Sequence, residues 1–149
     1  MSATYTVAAA SDQNPAVTGD GYGEVIAVRG EFDLAVDGIG ALVLNDVLQM
    51  VKLPAGHVPV DVIVDSDDLD SNATPTIALN VGIIGGDVDA FIKVSTIAQA
   101  GGIARMDDVA GARIASTQTE RYVGITVSTA PATGATTGKI GLTLLYKAE

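Results

Sequence analysis

The densest group of side chains able to do chemistry is Asp65-Ser66-Asp67-Asp68-Leu69-Asp70-Ser71-Asn72. Carboxylates at this spacing are the donors that wrap a calcium ion, which takes about six to eight oxygens. Aligned with the helix-loop-helix calcium signature from Asp68, the residues Asp70 and Asn72 fall at the right spacing. Ala73, however, stands where that loop needs glycine, and Leu79 stands where the bidentate glutamate belongs. The run therefore reads as a solvated turn between strands, with a looser calcium loop as the competing reading.

His57 is the single histidine, and there is no cysteine. A Ser-His-Asp triad would have to be built on His57, and no serine sits in a G-x-S-x-G context. His57 follows Gly56 and is expected as a surface turn residue. Zinc, which wants several Cys or His ligands, is disfavoured. Gly134–Lys139, reading GATTGK, is one residue shorter than a phosphate loop, and Ile140 replaces the Ser or Thr that would follow the lysine. Gly19, Gly21 and Gly23 alternate with no strand before them, so they are not a dinucleotide fingerprint. Carboxylate pairs for glycoside hydrolysis usually come with aromatic platforms, and aromatics are only 4% of this chain. The expectation is a protein with no catalytic residue, no cofactor and no metal ligand set.

The elements that would position these residues read mostly as strands. Val58, Val60, Val62 and Val64 fall on alternate positions, the period of a half-buried strand, and β-branched side chains suit a pleated surface. With Val47–Leu53 before it and Pro54-Ala55-Gly56-His57 between, the pattern predicts a strand, a tight turn and a returning strand. Earlier, Ile26, Val28, Phe32, Leu34 and Val36 share one parity, and Gly30 on that parity suggests a bend or bulge. Further strands are expected over Thr76–Ile84, Ala112–Thr117, Tyr122–Thr129 and Lys139–Lys147. A short helix over roughly 89–100, capped by Asp87 or Asp89 and stopped by Gly101-Gly102, is the one inserted helix. About eight strands imply an all-β, antiparallel two-sheet β-sandwich of jelly-roll type. Residues 1–23, rich in glycine and containing Asn14-Pro15, read as an N-terminal arm, and 24–149 as the sandwich domain.

Composition narrows the partners. With 8 basic and 18 acidic side chains the formal charge is −10. Nucleic-acid binding leans on Lys and Arg displacing counterions, so DNA and RNA are disfavoured, as are anionic membranes. No segment approaches the ~20 apolar residues of a membrane-spanning helix, and MSATYTVAAA lacks the positive start of a secretory signal. The chain reads as soluble and made in the cytoplasm. Hydrophobic residues make up 48% of it, so aliphatic side chains must fill the core.

LNDVLQMVKLPAG, followed by the valine-alternating strand and DSDDLDS, resembles the capsid cement or decoration proteins of tailed bacteriophages. AQAGGIAR at Ala98–Arg105 resembles the segment before the late strands of those chains, and the likeness extends over residues 40–146. The resemblance implies the jelly-roll fold and a non-enzymatic virion protein on the capsid exterior. Many copies there would bind the major capsid protein, bridge neighbouring subunits and oppose the pressure of packaged DNA. Self-association as a dimer or trimer would use a sandwich edge or the arm, with Thr4, Tyr5, Thr6, Val7 and Tyr22 as the expected contact residues. The competing readings are another virion component, such as a head-fibre base or tail protein, and a calcium-dependent ligand-binding sandwich.

Overall fold

The structure, a computed structural model, describes residues 2–11, 15–18 and 23–149. Nine strands are found among the described residues: β1 (Thr4–Thr6), β2 (Ile26–Asp33), β3 (Val47–Leu53), β4 (His57–Ser66), β5 (Ala78–Ile84), β6 (Ile92–Ser95), β7 (Gly102–Arg105), β8 (Arg121–Thr129) and β9 (Lys139–Ala148). They form a five-stranded sheet in the order β1-β3-β8-β5-β6 and a four-stranded sheet in the order β2-β9-β4-β7. Apart from the parallel β1–β3 pair, every pairing is antiparallel.

Strands β2 to β9 pair in a nested series: β2 with β9, β3 with β8, β4 with β7 and β5 with β6. Successive nested pairs alternate between the two sheets, and rolling the ribbon adds the β4–β9 and β5–β8 contacts. This is the jelly roll. The two inner faces meet in a core of Leu48, Met50, Leu53, Val62, Val64, Leu79, Val81, Ile125, Leu142 and Leu144, with Phe91 and Tyr146 the largest buried rings. Each such aliphatic side chain contributes about 1.5–3 kcal/mol on burial, so numbers substitute here for aromatic bulk.

Several local expectations are overturned by this topology. β3 and β4 do not form a hairpin. They belong to opposite sheets, and Pro54-Ala55-Gly56, with Gly56 at φ +72°, is the corner where the chain changes sheet. Nor do the four valines share one face. The β4–β9 register shifts between Pro59 and Asp61, so Val60 is the extra residue of a bulge and lies exposed, while Val62 and Val64 are buried.

Gly30 marks no bulge, because the β2–β9 register runs unbroken from Ile26 to Asp33. Its hydrogen side chain is needed for a close approach: a Cβ there would collide with the carbonyl oxygen of Met50 and come within 2.8 Å of Val7 Cγ2. Val36 is not in the strand. A turn follows Asp33, whose Oδ1 accepts the N–H groups of Ala35 and Val36, leaving Val36 81% exposed.

The helix expected over 89–100 is instead edge strand β6 followed by a 3-10 turn at Ile97–Gln99. Ile92, Val94, Thr96 and Ile97 lose side-chain freedom in a helix, and the edge of β5 offers them pairing. Among the described residues the α-helix is the single turn α1 (Val109–Ala112), capped by Asp108, whose Oδ1 accepts Ala110 N–H at 2.8 Å. α1 and the loop after it occupy the span expected as a strand at Ala112–Thr117.

Replacing Gly30 with alanine should lower stability by about 2–3 kcal/mol, because backbone rather than a mobile side chain opposes the new methyl group. Urea unfolding followed by circular dichroism measures this; an unchanged midpoint would refute the close approach.

Candidate functional site

The residues expected to make contacts are distributed unevenly. β1 is hydrogen-bonded in parallel to β3, with Thr4 opposite Val47 and Thr6 opposite Gln49. The buried carboxylate of Asp46 holds its start, since Oδ1 accepts Ala3 N–H at 2.7 Å while Oδ2 accepts Val43 N–H at 2.9 Å. Val7 N–H donates to Gln49 O at 3.1 Å, and the Val7 and Ala10 side chains enter the core. Tyr5 meets Phe32 edge to face at 6.3 Å. The first part of the segment read as an arm is therefore built into the sandwich edge. Tyr22 lies outside the described residues.

Beside β1 runs an open groove of about 510 Å³, bounded by Thr4–Ala8 on one side and by Glu31, Phe32, Asp37 and Ile39 on the other. It lies between the edge strand of one sheet and the edge strand of the other. Its walls are hydroxyl, aromatic and aliphatic, and its two carboxylates stand on the β2 side. No histidine lines it.

The acidic run becomes a structural clamp. Asp70 is 1% exposed, and its carboxylate accepts N–H groups from Thr76 (2.7 Å), Ile77 (3.1 Å), Ala132 (2.8 Å) and Thr133 (2.8 Å). Burial by itself pushes this carboxyl up, but the N–H donors of Thr133, Thr76, Ala132 and Ile77 more than offset it and hold it well below the usual carboxylate range. Asp67 Oδ2 accepts Lys139 N–H at 2.8 Å, and Asp68 Oδ1 accepts Asp70 N–H at 3.0 Å. Asp67 and Asp70 join the loop after β4 to the segment leading into β9, and Asp68 braces Asp70 within its own loop. Among the described residues no three acidic or histidine side chains converge as a metal site would require. The GATTGK loop is part of the same clamp, its Lys139 Nζ lying 3.3 Å from Glu31 Oε1.

His57 is not a surface residue. It is 5% exposed, with Nδ1 2.9 Å from Ala55 O and its ring edge to face with Tyr146 at 5.5 Å. Packing against the corner between sheets explains its burial.

The outer faces of the two sheets differ in charge. On the four-stranded sheet Arg29 reaches across Gly141, whose missing side chain leaves room for the guanidinium, to pair with Asp65 as well as with Glu31. Hydrogen bonding from Arg29 lowers the pKa of both carboxyls, and Arg105 pairs with Asp61. On the five-stranded sheet the outward positions of the central strands carry Gln49, Asn80, Thr126 and Ser128 instead. This asymmetry, which depends on strand order, was not visible in the linear sequence. Among the described residues no helix is long and apolar enough to cross a membrane.

Neither a family model nor a curated protein matches the chain. Solved structures do. A chain from the capsid of Ralstonia phage GP4 is 33% identical, with a TM-score of 0.86 over 98% of this chain and 98% of that one. A chain from the capsid asymmetric unit of cyanophage Pam1 is 32% identical, with a TM-score of 0.73 over 93% of this chain and 95% of that one. The chain belongs to a family of phage capsid proteins. Identity at this level over nearly the whole length places this capsid protein among structural components of the virion. The jelly roll expected from strand patterning is the fold it shares with them.

Asp70→Asn should lower the melting temperature of this capsid protein by several degrees, since an amide oxygen cannot accept all the bonds the carboxylate does. The sign with pH follows from the lowered value: the carboxylate's contribution is full above the unfolded carboxyl range, roughly pH 4, and is lost as pH falls through and below it. The difference in melting temperature between wild type and variant should therefore shrink on acidification from neutral pH. A difference that grows or stays constant would refute the clamp.

Proposed function

We propose that this protein is a non-enzymatic cement or decoration protein that binds the exterior of a phage capsid and joins neighbouring major-capsid subunits. The observation that carries this reading is the near full-length similarity to chains of two phage capsids, together with a body that presents sheet faces and an edge groove. Both relatives come from capsids, which favours a head location over a tail or fibre.

The physics of the role is mass action. A protein that binds the assembled lattice and not its separated subunits stabilises the lattice by RT ln(1 + [L]/Kd), about 2.7 kcal/mol per site at a hundredfold excess over Kd. Modest contacts repeated over a shell then resist rupture. A formal charge of −10 suits an outer position, away from the genome. Thr4, Tyr5 and Thr6 are the contact residues we assign to the shell, through the groove beside β1, with Tyr22 as a further contact; Val7, expected with them, supports the groove from the core.

Thr4 and Thr6 are exposed, whereas Val7 and Ala10 belong to the core. Deleting residues 1–23 would therefore remove stability as well as contact surface, and Thr4→Glu is the cleaner variant. Incubated with empty shells and sedimented, the wild-type protein should appear in fixed proportion to the major capsid subunit, with cryo-electron microscopy locating it outside. Thr4→Glu should melt within a few degrees of wild type and lose occupancy severalfold. Wild-type protein left in the supernatant would overturn the cement reading; full occupancy by Thr4→Glu would overturn the β1 assignment alone.

A further inference from the structure

We propose that the groove between the β4 bulge and the loop after α1 docks an extended segment of a partner protein in which carboxylates alternate with aliphatic side chains. The inference goes beyond the cement reading, because it names a second surface, sharing no residue with the groove beside β1, and the chemistry of its occupant.

The first observation is where the cations go. Of the 8 basic side chains in the chain, six are engaged within the fold. Arg29 pairs with Asp65 and Glu31, Lys52 with Glu120, Lys93 with Asp108, Arg105 with Asp61 and Lys139 with Glu31. The Arg121 guanidinium donates to the carbonyls of Ala115 and His57. The two that remain are Arg113 and Lys147, which meet no carboxylate at ion-pairing distance among the described residues, and both line one groove of about 460 Å³. That volume is within the ~300–1,000 Å³ of ligand clefts. The two come from different elements, Arg113 from the loop after α1 and Lys147 from β9, and both are exposed. In a molecule of formal charge −10, a place where two uncommitted cations meet attracts a carboxylate that the rest of the surface repels.

The second observation is the rest of the lining. Val58, Pro59 and Val60 of β4 form one part of it, and Ile114 with its alanine neighbours another. Val60, the extra residue of the bulge, is 40% exposed. An aliphatic side chain of the occupant would bury against this strip. Exposed ion pairs contribute little by themselves, so aliphatic burial supplies the affinity and the charges set the register. The groove's own carboxylate, Glu149, is already held: its Oε2 accepts Ser116 N–H at 3.1 Å. Hydrogen bonding from Ser116, ahead of the charge of Lys147, lowers its pKa. With two cations to one carboxylate, the groove stays net positive.

Nucleic acid fits less well. Among the described residues no aromatic side chain lines the groove for a base to stack on, and a phosphate backbone would meet negative surface beyond its ends. A short acidic and aliphatic segment needs only the local complementarity.

Amide chemical shifts of the free protein, without shells, test this with capped synthetic hexapeptides. A peptide of alternating Val and Asp should shift the amides of Val58, Val60, Ile114 and Lys147 with a millimolar Kd, as suits a few exposed contacts. Alternating Ser and Asp should bind severalfold more weakly, and alternating Val and Lys should leave these amides in place. Arg113→Glu and Lys147→Glu should each melt within a few degrees of wild type, since both side chains are exposed, and weaken binding of the Val-Asp peptide by more than about fivefold. Arg113→Lys and Lys147→Arg, which keep the charge, should retain it. Unmoved amides in the presence of the Val-Asp peptide overturn the proposal, as do equal shifts with the Val-Lys peptide, or an Arg113→Glu variant that binds as wild type does. Shifts produced by an oligothymidylate in place of the peptide would assign the groove to nucleic acid, and shifts that grow with protein concentration alone would assign it to a second copy; either result overturns the proposal. Because no shell enters the measurement, its failure leaves the cement reading standing, and failure of shell binding leaves the peptide groove standing.

Discussion

The buried carboxylate of Asp70 is the constraint on which the two-sheet body depends. From β1 to β9 the chain changes sheet at every connection except that between β5 and β6, so the loops at one end must be held against each other or the sheets would slide. Asp70 accepts backbone N–H groups from its own loop, at Thr76 and Ile77, and from the distant loop at Ala132 and Thr133. One side chain thus closes the path from β4 to β5 onto the path from β8 to β9. Leu69 beside it is buried, and its backbone bonds Ala98 and Ala135, bringing in the turn between β6 and β7. A buried charge of this kind is tolerated because each oxygen is satisfied by amides.

With that end tied, the core can be aliphatic and thin. Gly30 lets β2 lie against Met50 on the facing sheet. This contact brings the layers together without an aromatic spacer. Residues Val7 and Ala10 then fill the gap between sheet edges, which is why the start of the chain is part of the body.

The outward surfaces follow from the same topology. Strand order sets Arg29 two strands from Asp65 with only Gly141 between, and an ion-pair ladder results on one face. The other face gathers threonine, serine, asparagine and glutamine from strands far apart in the chain. The groove beside β1 lies between the edges of the two sheets. The scaffold contributes shape and charge placement; its single histidine is spent on packing against Tyr146.

Much of the fold was legible in the linear chain. Period-two runs such as Ile140, Leu142, Leu144 and Tyr146 state which face of a strand is buried whatever strand it pairs with, because alternation is a property of the backbone. Composition likewise determined an aliphatic core and a strongly negative surface. What only the tertiary structure decided was which strands are neighbours. The Pro54-Ala55-Gly56 turn looks the same whether it closes a hairpin or crosses between sheets, and Ile92–Ser95 pairs as an edge strand with β5 although its local sequence did not require it. Asp70 differs from Asp67 and Asp68 only in where the rolled chain puts it. Local propensity fixes side-chain direction over a few residues, whereas burial and hydrogen-bond partners depend on segments some sixty residues away, such as Thr133 from Asp70, and no local pattern carries that information.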